Sequence, residues 1–79
     1  MFRTLIKTDD VAVGLGTYRV RYFRQETERG AMRYAAEILL APGDRIILDG
    51  DSLANLEART ARLVPATVYS RSLARVTAA

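Results

Sequence analysis

Apolar and polar positions alternate most clearly over residues 17–25, TYRVRYFRQ, which sets Tyr18, Val20 and Tyr22 on one side and Arg19, Arg21 and Phe23 on the other. Successive side chains of a strand point to opposite faces, so this stretch predicts a half-buried β-strand. Residues 26–30 form a polar turn closed by Gly30, and a second strand over residues 31–40 completes a hairpin. Pairing Tyr22 with Tyr34, Val20 with Ala36 and Tyr18 with Ile38 makes one continuous apolar face. That pairing sets Arg19 opposite Glu37 and Arg33 opposite Phe23 on the other face.

Upstream, residues 2–7 alternate briefly, with Phe2, Thr4 and Ile6 on one side and Arg3, Leu5 and Lys7 on the other. Thr8-Asp9-Asp10 has turn chemistry, and residues 11–16 hold Gly14 and Gly16, which suit a bent connection better than a strand centre. Downstream, Ala41-Pro42-Gly43-Asp44 predicts a turn into a short strand over residues 45–49 whose apolar run Ile46-Ile47-Leu48 needs cover on both faces. Leu53, Leu56, Thr60 and Leu63 then recur at helical spacing, with Asp51 or Ser52 as N-cap and Arg59 and Arg62 near the C-terminal end, where the helix dipole favours cations. Beyond Val64-Pro65 the pattern is ambiguous. Thr67-Val68-Tyr69 favours a strand by propensity, while Ala66, Tyr69, Leu73 and Val76 favour a second helix over residues 66–76, the reading preferred here.

The fold these elements predict is α+β: a small two-layer single domain over residues 1–79, with an antiparallel sheet of about four short strands followed by one or two C-terminal helices packed on it. A domain of this size buries a modest fraction of its surface, which makes an oligomer a natural way to cover what is left.

Composition narrows the chemistry. The chain holds no histidine and no cysteine, which removes the commonest general base, the commonest transition-metal ligand and the thiol nucleophile. Lys7 is its only lysine and sits on a short strand read as exposed, where nothing would depress its pKa for amine catalysis. Asp44, Asp49 and Asp51 cluster in sequence, but an EF-hand loop opening at Asp49 would place Leu53 and Ala54 where an oxygen ligand and a glycine belong. Gly14-Leu15-Gly16 lacks the third glycine of a dinucleotide fingerprint, because Arg19 stands there, and it opens a strand. No catalytic residue, cofactor site or metal site is therefore assigned. With no cysteine and no apolar stretch of signal or membrane-spanning length, a cytoplasmic, non-enzymatic protein is expected.

Two surfaces remain. Leu5, Leu39 and Ile47 fall on the outer sheet face, read as lying at the end away from the arginines. An exposed apolar cluster there points to a protein interface, with self-association through the sheet or its edges as the leading expectation. The competing cover is the second helix, folding back over the same face. The other surface is basic: Arg19, Arg21, Phe23 and Arg33 could grip phosphates and stack a base, so nucleic-acid binding is the alternative. A net charge of +3 permits a polyanionic partner without requiring one.

Overall fold

The computed structural model describes residues 3–78, with side chains as far as residue 74. Its elements are β1 (Arg3–Val13), β2 (Gly16–Glu26), β3 (Met32–Ala41), β4 (Asp44–Gly50) and α1 (Leu53–Ala78). The strands form one antiparallel four-stranded sheet in the order β1-β2-β3-β4, and α1 packs across one face. This is the α+β arrangement expected from the pattern. Phe2, assigned to the first strand, lies outside the described residues.

Both tight turns follow from glycine. Gly14 has a φ of 60° while no other residue type among those described has positive φ, so Gly14-Leu15 closes β1 onto β2 as a Gly-first type II′ hairpin turn. Pro42-Gly43 closes β3 onto β4 with proline first and Gly43 at a φ of 79°, the type II pattern.

The first strand is longer than expected. Thr8-Asp9-Asp10 is strand and not turn, and residues 11–13 are strand and not connection. Pairing with β2 overrides the local turn chemistry: Asp10 lies opposite Arg19, with a carboxylate oxygen 3.6 Å from its Nε, and Asp9 is held by Lys7 at 3.1 Å. A bulge between Leu5 and Lys7 inserts Ile6, so the faces are Arg3 and Leu5 outward, then Lys7, Asp9, Val11 and Val13 inward.

The hairpin of β2 and β3 keeps its predicted faces but not its predicted register. Val20 pairs with Ile38, Tyr22 with Ala36 and Arg21 with Glu37, a slip of two residues. Alternation has period two, so it cannot tell these registers apart. The loop decides: Thr27 bonds Ala31 through its backbone N–H at 2.8 Å and receives Ala31 N–H on its hydroxyl at 3.1 Å, which closes the hairpin at Glu26 and Met32.

The largest departure is α1. Residues 66–76 do not form a separate second helix; they continue the first through Pro65, giving one 26-residue helix. Ser52 caps it, its hydroxyl accepting from Asn55 N–H at 3.1 Å. Proline forfeits its N–H bond and crowds the carbonyl four residues back, but the stripe Leu56, Thr60, Val64 and Val68 persists across it, so packing holds the helix together. At the sheet end of this stripe Gly50 is buried under Leu56, whose Cγ would lie 3.1 Å from an added Cβ. At the middle, the hydroxyls of Tyr22 and Thr60 meet at 2.6 Å. At the far end Arg71 clasps Asp44 at 3.0 Å. A helix this long gives the molecule its 48 Å long axis against 20 and 17 Å for the other two. No helix among the described residues is long and apolar enough to cross a membrane.

The core lies between helix and sheet. Val20, Tyr22, Ala36, Ile38, Leu56 and Val64 are its buried centre, and Val11, Val13, Tyr18, Tyr34, Leu48 and Leu63 pack around it.

Candidate functional site

Strand parity, corrected for the bulge, puts Arg3 and Leu5 of β1, Arg19, Arg21 and Phe23 of β2, Arg33, Ala35, Glu37 and Leu39 of β3, and Arg45, Ile47 and Asp49 of β4 on the face turned away from α1. Since α1 is one helix on the other side, no helix among the described residues covers this face. The cover expected from a second helix is absent.

At the centre sits Glu37, 5% exposed although no layer lies above it. Arg21 accounts for this on one side, donating from Nε at 2.9 Å and also from Nη2, and Arg45 on the other, from Nη1 at 3.2 Å. The Arg21 hydrogen bonds hold the Glu37 carboxyl below the usual carboxylate range, against the opposing effect of burial. Beside this trio the Arg3 guanidinium stands over the Phe23 ring, 4.3 Å from its centroid, with Arg21 at 5.8 Å. Leu5 lies opposite Phe23, and Leu39 lies between Arg19 and Arg45.

The apolar and basic residues are therefore interleaved. The expected division into a basic end and an apolar end does not hold, because the true register sets Leu39 opposite Arg19. Leu5, Leu39 and Ile47 are about half exposed, at 51%, 46% and 50%. Arg33 is not beside Phe23; it pairs with Gln25 across the strands and reaches the Asp51 carboxylate at the helix start. Arg19 and Arg21 are each engaged by a carboxylate, Asp10 and Glu37. Next to Leu39 the start of β2 and the end of β3 splay beyond their last pairing, opening a cleft of about 650 Å³ lined by Asp10, Tyr18, Arg19, Leu39, Leu40 and Pro42.

Arg3, Arg45 and Glu37 hold this surface together, and the sequence reading passed over them as site residues. Parity alone places Arg45 beside Ile47 and Arg3 beside Leu5, so the signal was present. The remaining candidates are dispersed. Asp44 is held by Arg71 at one end of β4, while Asp49 and Asp51 lie at the other, so the acidic residues adjacent in sequence do not converge. Lys7 is not on an exposed strand face: it points to the helix side, 2.9 Å from Glu57 and 3.1 Å from Asp9. Its hydrogen bond to Glu57, followed by that to Asp9, raises its pKa.

Compared with protein-family models, curated proteins and solved structures, the chain finds no match.

Proposed function

We propose that this chain is a non-catalytic interaction domain whose outer sheet face docks a protein partner. The observation that carries the reading is the uncovered face itself, on which Leu5, Leu39 and Ile47 stand half exposed among arginines. Arginine and aromatic side chains interleaved with apolar ones, with lysine scarce, match the composition of protein interfaces. The cleft beside Leu39 offers a recess for an anchoring side chain. The complementary surface would be apolar and flanked by carboxylates. A second copy was the first occupant expected from the sequence, but two such faces laid together would set arginine against arginine, which favours an acidic partner over self-association here.

Nucleic acid is the second reading, favoured by Arg19, Arg21 and Phe23 sharing one open face. Two features weigh against it. A base stacking on Phe23 must displace Arg3, and phosphates must compete with Asp10 and Glu37 for Arg19 and Arg21.

Proximity labelling in the native cell, comparing wild type with a Leu5→Thr, Leu39→Thr double variant, tests the reading. These exposed strand positions accept threonine, so the variant folds. Specific protein partners lost in the variant support the proposal; an identical labelled set overturns it. Titration with single-stranded oligonucleotides at low salt decides the second reading, which requires affinity that weakens when Arg19 and Arg21 become alanine.

A further inference from the structure

We propose that the free edge of β4 pairs antiparallel with β4 of a second copy, joining two four-stranded sheets into one. This concerns the edge of the sheet and shares only Ile47 with the apolar residues of the docking face proposed above. The sheet order leaves two edges, β1 and β4, and the chain treats them differently. The β1 edge carries a bulge at Ile6 and turns Lys7 and Asp9 toward the helix side, and both devices obstruct the approach of another strand. On β4 such features are confined to its first residue, where Asp44 turns to the helix side and meets Arg71 beside a register shift between Leu39 and Ala41. From Arg45 to Gly50 it pairs with β3 without a shift, and its centre is Ile46-Ile47-Leu48, free of charge, proline and glycine. A regular apolar stretch on one edge, with charges only at its ends, beside a bulged and charged edge on the other side implies that the apolar edge is used.

The occupant is identified by the strand's own pattern. With Ile47 opposite Ile47 of the second copy, Ile46 falls opposite Leu48, and Arg45 falls opposite Asp49. Arg45 and Asp49 share the outer face, so the two-fold axis generates two opposite-charge cross-strand pairs. The segment RIILD is thus complementary to itself when reversed, in apolar residues and in charge. The Asp49 carbonyl accepts from Arg59 of α1 at 2.8 Å and keeps a second lone pair for an incoming strand.

The helix side agrees. A groove of about 350 Å³ runs beside β4, lined by Leu48, Arg59, Arg62, Leu63 and Ala66. Helical periodicity carries the same side of α1 on to Tyr69 and Leu73, which are 67% and 49% exposed. Pairing at β4 brings these two stripes toward one another over the joined sheet. It also shelters Ile47, half exposed in the single chain, against its own symmetry mate.

Sedimentation velocity over a concentration series extending to the high micromolar range tests the dimer, and charge exchange tests its register. Arg45→Asp and Asp49→Arg each turn both cross-strand pairs into like-charge pairs, so each variant alone dimerises about tenfold more weakly or worse. Mixed together they restore both pairs, and a heterodimer forms with near wild-type affinity. Because Arg45 also holds Glu37, Ile47→Lys provides a second disruption that leaves the fold's internal pairs intact, and it should yield monomer. The Leu5→Thr, Leu39→Thr double variant leaves the dimer unchanged. A wild type that stays monomeric throughout, or a dimer indifferent to Ile47→Lys and to mixing of the charge variants, overturns the proposal.

Discussion

The hydroxyls of Tyr22 and Thr60 anchor α1 to the sheet, and their geometry allows the cost of cutting that anchor to be worked out. Both residues are 2% exposed. The Thr60 hydroxyl donates to the Glu57 carbonyl at 3.0 Å, so in the 2.6 Å contact it accepts and Tyr22 donates. Tyr22→Phe removes one buried hydrogen bond and leaves Thr60 still donating to Glu57, at a cost of about 1 kcal/mol. Thr60→Val strands the Tyr22 hydroxyl without an acceptor, and leaving a buried donor unmade costs about 2 kcal/mol. The double variant removes the stranded donor and leaves two apolar groups in contact, so its cost returns to about 1 kcal/mol or less. Urea unfolding of the four proteins should therefore give a coupling energy of about 2 kcal/mol, with the double variant more stable than Thr60→Val. In a domain of this size each kcal/mol corresponds to about 4–8 °C in Tm, well within reach of a thermal scan. Additive costs, or a Thr60→Val variant no less stable than Tyr22→Phe, would refute the assignment of donor and acceptor.

Three other perturbations have defined outcomes. Gly50→Ala places a methyl group 3.1 Å from Leu56 Cγ, and Leu56 is fully buried and must shift within the packed core, so unfolding by urea should show a loss of about 1–3 kcal/mol. Pro65→Ala restores an N–H to the middle of an exposed helical turn and should raise stability by about 1–3 kcal/mol, read from the same unfolding curves. The Glu37 carboxyl titrates below its unfolded value, so its contribution is present above that value and is lost as pH falls through the folded one. Glu37→Gln should therefore flatten the acid side of the stability–pH profile, and a variant profile parallel to wild type would count against the trio.

What the sequence made legible was parity. Leu39, Ile47, Arg19 and Arg21 were assigned to one face from alternation, and they share it. What it concealed were features to which alternation is blind. A two-residue slip preserves every face, so the pairing of Glu37 with Arg21 instead of Arg19 depended on how Thr27 closes the loop. Pro65 and the run Thr67-Val68-Tyr69 both argue locally against helix, yet burial of Val64 and Val68 on the sheet carries α1 through them. Asp10 reads as a turn residue because its partner, Arg19, becomes a neighbour only once β1 and β2 pair, and Asp9 meets Lys7 only once β1 is extended.

The bulge at Ile6 has a consequence for how far association can go. Without Ile6, Leu5 would be followed directly by Lys7, and every residue of β1 would keep its present face. A chain one residue shorter there could thread the same sheet. Its first strand would be straight, however, and would present a smoother second edge to its neighbours. Joining at β4 alone consumes one edge per molecule and stops at a pair, whereas a molecule open at both edges can add neighbours in either direction without end. The extra residue thus helps to limit stoichiometry, separating a closed pair from a growing filament.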